Sequence, residues 1–118
     1  MVGWRRCLQE EGKFQMMIAR WQFTAKFGRK QEAIGLIKEW NEQIGAQTNI
    51  DVSRARIITG SVGASEGFVE MEIEIEDLKA LDDFFTKIAA IQMHKDWGPK
   101  MGEVIVSGST RWEVFRVA

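Results

Sequence analysis

One cysteine, one histidine and no tyrosine are the scarcities that first narrow this 118-residue chain. With Cys7 alone no internal disulfide can form, and a single thiol suits a reducing compartment. One cysteine and one histidine (His94) also leave no donor set for a structural zinc site. Charge of one sign is missing as well: sixteen basic residues face seventeen acidic ones, a net charge of −1. No domain-wide positive field exists to grip a phosphate backbone, so nucleic acid is not expected as a partner. No segment approaches the roughly 20 apolar residues of a membrane helix, and no apolar run follows Arg5 and Arg6 as in a secretory signal. A cytoplasmic protein without a membrane partner is the expectation.

What is present is ordinary for a globular domain: 45% hydrophobic and 28% charged residues, in a chain long enough for one hydrophobic core. Residues 1–15 are weakly patterned and read as a leader or a short helix carrying Trp4, Cys7 and Leu8. Residues 16–118 read as a single domain. Met17 to Lys26 alternates, with Met17, Ala19, Trp21, Phe23 and Ala25 on one face and Arg20, Gln22 and Thr24 on the other, which predicts a half-buried strand. From Arg29 to Ile44 the period changes: Ala33, Ile37, Trp40 and Ile44 form the stripe of an amphipathic helix. Gly45 would close it in the left-handed conformation, and Gly35 within it suggests a close backbone approach. Val52 to Val62 reads as a second strand, 63–67 as a hairpin turn, and Phe68 to Glu76 as a third strand. Asp77 is a suitable N-cap for a helix from Leu78 to about Met93. Trp97-Gly98-Pro99 should end the helical region, leaving β-rich pieces at Glu103 to Val106 and Arg111 to Val117.

The order β-α-β-β-α-β predicts an α+β fold, the ferredoxin-like sandwich, in which an antiparallel sheet carries both helices on one face. Burial places Trp21, Phe23, Val69, Met71, Ile73 and Ile75 under the helices. The other face then holds Arg20, Gln22 and Thr24 beside Glu70, Glu72, Glu74 and Glu76. If Val62 pairs with Phe68, Arg56 stands opposite Glu74 and Arg54 opposite Glu76, a cross-strand arrangement of opposite charges. Two readings of this face are open. It is either a solvated, salt-bridged surface, or the wall of a cavity between two subunits, where nearly every charge needs a partner.

The element order, the helix ending in Lys38-Glu39-Trp40, and the run from Phe84 to His94-Lys95-Asp96-Trp97 resemble the dimeric α/β-barrel superfamily. That group includes antibiotic-biosynthesis-type monooxygenases and NIPSNAP-like proteins. The resemblance spans roughly Met16 to Val117 and implies a homodimer whose two sheets join in a barrel. It also implies a small organic ligand, lodged between sheet and helices or inside the barrel. In relatives that degrade haem, a histidine on this helix ligates iron with help from a first-strand asparagine. The first strand here offers none, and no cofactor is expected.

His94 is the side chain suited to acid–base work near neutral pH, with Trp97 three residues on, the same face if the helix continues. Glu72 is the alternative proton carrier, provided its carboxyl is desolvated. Arg20, Arg56, Glu74 and Trp97 are the candidate ligand contacts, the arginines orienting an anionic or carbonyl group. Trp21 and Trp40 read as core; Trp97 and Trp112 could line a pocket or a subunit contact, core packing being the plainer reading. The functional expectation is a small-molecule-binding dimeric barrel, as a cofactor-independent monooxygenase or isomerase-type enzyme. The alternative is a ligand-sensing or assembly domain without catalysis.

Overall fold

Residues 16–118 are described by a computed structural model; the expectations for 1–15 lie outside the described residues. Strand β1 (Met17–Thr24) is followed by helix α1 (Lys30–Gln43), strands β2 (Arg56–Thr59) and β3 (Phe68–Ile75), helices α2 (Leu78–Ala89) and α3 (Gln92–Val104), and strand β4 (Arg111–Arg116). The sheet is antiparallel throughout, in the order β2-β3-β1-β4. This is the expected ferredoxin-like α+β arrangement, with β1 and β3 central. Among the described residues, no helix is long and apolar enough to cross a membrane.

The alternation in β1 and β3 orients the sheet. Ala19, Phe23, Val69, Ile73 and Ile75 are all buried at 1% exposure or less, and they meet Ala33, Ile37 and Trp40 of α1 and Leu81 and Phe84 of α2 in one core. Asp77 caps α2 as expected, its carboxylate accepting from the Ala80 backbone N–H at 2.8 Å.

Five expectations are corrected. The second strand is only Arg56–Thr59, because Asp51 accepts from the Ser53 N–H at 3.1 Å and turns Val52–Arg54 into a 3₁₀ segment. The hairpin is also shifted by two residues. Thr59 pairs with Val69 and the Gly60 N–H donates to the Phe68 carbonyl, so Arg56 stands opposite Glu72, not Glu74. A slip of two keeps every side chain on its face, so the charged surface survives while its pairing changes. Gly45 ends α1 for lack of bulk, not for handedness: a Cβ there would lie 2.6 Å from Val52 Cγ1 and 2.9 Å from the Trp40 ring.

The largest correction is α3. Trp97-Gly98-Pro99 lies inside a helix that runs to Val104. Ile91, His94, Trp97, Met101 and Val104 recur at helical spacing, and α3 packs this stripe chiefly on α1, with Met101 and Val104 buried. Burial of that face outweighs the weak propensities of Gly98, Pro99 and Gly102. Glu103 and Val104 are therefore helical, and only Ile105 and Val106 reach β1, through a bridge to Ala25 and a bond to the Thr24 carbonyl.

Gly35 is exposed, and nothing lies within 4 Å of a Cβ built on it. No close approach requires it. Gly35→Ala should stabilise the protein by about 0.5–1 kcal/mol in urea unfolding, through helix propensity and a less flexible unfolded chain.

Candidate functional site

The six candidate residues fall into two groups on opposite faces of the sheet. His94 and Trp97 lie on the helix side. Arg20, Arg56, Glu72 and Glu74 lie on the open side.

On the helix side a cavity of about 210 Å³ sits between sheet and helices. Met71 of β3, Trp21 of β1 and Trp112 of β4, paired across the sheet, form its floor. Ile37 and Trp40 come from α1; Phe84, Phe85 and Ile88 from α2; His94 and Trp97 from α3. The rings hold one another in tilted and edge-on contacts: Trp21 to Trp97 at 5.9 Å, Trp40 to Phe84 at 5.9 Å, Trp40 to Trp97 at 6.1 Å and Phe85 to Trp112 at 5.2 Å between centroids. The helix expected from Leu78 to Met93 ends at Ala89, and His94 and Trp97 share a face of the separate α3, where they stack at 5.8 Å and 24°.

Among the described residues, His94 is the only ionisable one in the lining. The Trp40 indole N–H donates to His94 Nδ1 at 3.0 Å, and the Trp97 indole N–H donates to the Leu36 carbonyl of α1 at 2.9 Å. Burial lowers the His94 pKa from its ordinary 6.5, and the Trp40 bond acts in the same sense because it favours the unprotonated nitrogen. Since the folded state disfavours the proton, the stability His94 contributes is whole above the unfolded-state value. It is lost as pH falls below that value and through the folded one. The wild type should therefore lose more of its urea midpoint between pH 7.5 and pH 5.5 than His94→Gln does.

On the open side the charges form a continuous lattice. Glu72 accepts from Arg56 Nε at 2.8 Å, with Arg56 Nη2 on the same oxygen, and from Arg20 Nε at 3.2 Å on the other. Arg20 Nε also lies 3.6 Å from Glu70. Glu70 accepts from the Gln22 amide at 2.8 Å, and Gln22 Oε1 accepts from Arg111 Nε at 2.8 Å. Arg111 then reaches Glu113 at 3.4 Å. Arg54 pairs with Glu74 at 3.0 Å, not with Glu76 as the expected register would have it. The Arg54 Nε contact to Glu74 Oε2 lacks hydrogen-bond alignment, so it is ionic only. Glu70 and Glu72 are only 5% exposed, and the Phe115 ring lies 4.6 Å from the Arg20 guanidinium.

Glu72 is thus engaged by two arginines and separated from His94 by the thickness of the sheet. Among the described residues, no group of three or more histidine, cysteine, aspartate or glutamate side chains could hold a metal. The helix-side cavity falls below the roughly 300–1,000 Å³ of drug- and cofactor-sized pockets, and it is too small for a tetrapyrrole. Trp21, Trp40 and Phe85 were not singled out from sequence as site residues, whereas Trp112 was named as a possible pocket wall. The signal for the tryptophans was the unusual use of five of them without a tyrosine.

The fold has known counterparts. A NIPSNAP family protein of unknown function from Agrobacterium tumefaciens superposes with a TM-score of 0.73 at 10% identity, over 89% of this chain and 90% of that one. The chain has the fold of the NIPSNAP proteins. A second NIPSNAP family protein from the same organism gives 0.67 at 17% identity, over 85% and 90% of the two chains. A candidate antibiotic biosynthesis monooxygenase from Caulobacter crescentus gives 0.63 at 16% identity, over 93% and 98%. No family model and no curated protein matches the sequence.

Proposed function

We propose that this chain is a homodimeric α/β-barrel protein of a reducing cytosol that binds a small, flat, apolar organic molecule between its sheet and its helices. The observation that carries this reading is the cavity itself: among the described residues, four indoles and two phenyl rings surround one ionisable group, His94. Aromatic walls with one polar contact suit a ligand that is mostly ring surface with one functional group. The monooxygenase-like neighbour in fold adds that such a molecule could be oxygenated or isomerised here. In that case the neutral His94 imidazole would donate a hydrogen bond to the ligand's functional group.

The open face supports the dimer. Among the described residues no helix covers it, most of its charges are paired within the chain, and Ile58 and Phe115 stand exposed at its flanks (39% and 42%). A paired lattice with apolar flanks can be covered by a second copy without stranding a charge. The same lattice favours a second reading, an assembly domain that binds but does not catalyse, since Glu72 is occupied by its arginines.

A thermal-shift screen of flat bicyclic compounds, combined with sedimentation, tests the proposal. A ligand at a hundredfold excess over its Kd stabilises by about 2.7 kcal/mol. That gain should vanish in Trp97→Ala and persist in Glu113→Gln on the open face. The reverse pattern would place the ligand on the sheet's other side, and a stable monomer would reject the barrel.

A further inference from the structure

We infer that the cavity selects a flat apolar molecule bearing a hydrogen-bond acceptor, such as a ring ketone, and that Trp40 enforces this choice by holding His94 as a donor. The inference rests on the proposed ligand site and names the chemistry of its occupant.

It follows from an inventory of polar atoms. Among the described residues, the lining side chains include no carboxylate, amide, hydroxyl or amine; their polar groups are four indoles, one imidazole and the Met71 thioether. An indole N–H can only donate, and a thioether is a weak acceptor. The one strong side-chain acceptor these walls could offer is an imidazole nitrogen, and Trp40 already occupies it, at Nδ1 and 3.0 Å. A nitrogen that accepts carries no proton, so the neutral ring carries its proton on Nε2. The described residues give Nε2 no hydrogen-bond partner. Strong polar contact with a ligand therefore runs one way, from wall to ligand.

The arrangement is also held in place. Trp40 is 4% exposed and wedged edge-on against Phe84 at 5.9 Å, so its N–H cannot swing away. Trp97 stacks on the imidazole and is tied to α1 through the Leu36 carbonyl, which fixes the ring plane. Rotating His94 to free Nδ1 would break the Trp40 bond and leave a buried indole N–H unpaired. A cationic ligand would find aromatic faces but no anion, and the donor hydrogens carry positive charge. A donor-only ligand such as an indole would find no partner.

Three probes of one shape test this by tryptophan fluorescence: naphthalene, 2-acetylnaphthalene and (2-naphthylmethyl)trimethylammonium. The wild type should bind the ketone about tenfold tighter than the hydrocarbon, the worth of one good hydrogen bond, and the cation more weakly than either. In His94→Ala the ketone preference should disappear while naphthalene still binds. Trp40→Phe keeps a ring in place and removes only the donor. There the preference should fall, and imidazole nitrogen shifts should show mixed tautomers and a His94 pKa raised toward the ordinary value, which a packing role alone would not produce. Equal binding of ketone and hydrocarbon, or tightest binding of the cation, overturns the inference and leaves the pocket standing. Absence of binding by all three overturns the ligand site as well.

Discussion

Arg20→Met is expected to cost about 2–3 kcal/mol of folding stability and to lower Tm by roughly 10 °C or more. Arg20 is the link between the two buried glutamates, 3.2 Å from Glu72 and 3.6 Å from Glu70. Without it Glu70 keeps only the neutral Gln22 amide, and Glu72 keeps only Arg56. Two carboxylates at 5% exposure would then repel each other from adjacent same-face positions on β3. Breaking a buried pair from one side typically costs 3–5 kcal/mol; the lower figure applies because the Arg20 side chain is 35% exposed and water screens part of the loss. Replacing Glu72 by Leu in the same chain should recover part of the deficit, since an apolar pair strands less charge than a lone carboxylate. Urea unfolding of the single and double variants checks both statements.

Trp40→Ala is expected to cost more, about 3–5 kcal/mol, and to abolish ligand binding. The indole is the junction of the helix layer. It meets Phe84 of α2 and Trp97 and His94 of α3, and Gly45 is cut back to make room for it. Truncation opens a void that no neighbour can fill without moving a helix, and it frees the His94 ring. Trp40→Phe retains most of the contact area and should cost only about 1–2 kcal/mol. Equilibrium unfolding of the pair separates loss of packing from loss of the hydrogen bond.

Much of the fold was legible because its strands are amphipathic. In Val69 to Glu76 apolar and acidic residues alternate without a break, so the buried face and the charged face could be read directly. Pairing was less legible. The hairpin register depends on where the Asp51 turn ends and on a loop over 61–67, and neither leaves a periodic trace. Helix α3 was missed because Gly98 and Pro99 are strong local breakers, whereas the stripe from Ile91 to Val104 gains its energy from α1, more than fifty residues earlier in the chain. The site was half legible for the same reason. His94 and Trp97 stood out as residue types near a helix end, and the helix relates them as the spacing suggested. Grouping them with Arg20, Arg56, Glu72 and Glu74 required knowing that a sheet lies between. Trp40 looked like core, and it is core; its bond to His94 joins elements that only the folded chain brings together.

The account turns on which face of the sheet meets a ligand, and a nitrogen–proton correlation spectrum reads both faces at once. Titration with 2-acetylnaphthalene should shift the indole N–H signals of Trp21, Trp40, Trp97 and Trp112, and leave the Arg20 and Arg56 Nε–H signals where they are. Movement of the arginine signals with the indoles unchanged would contradict it.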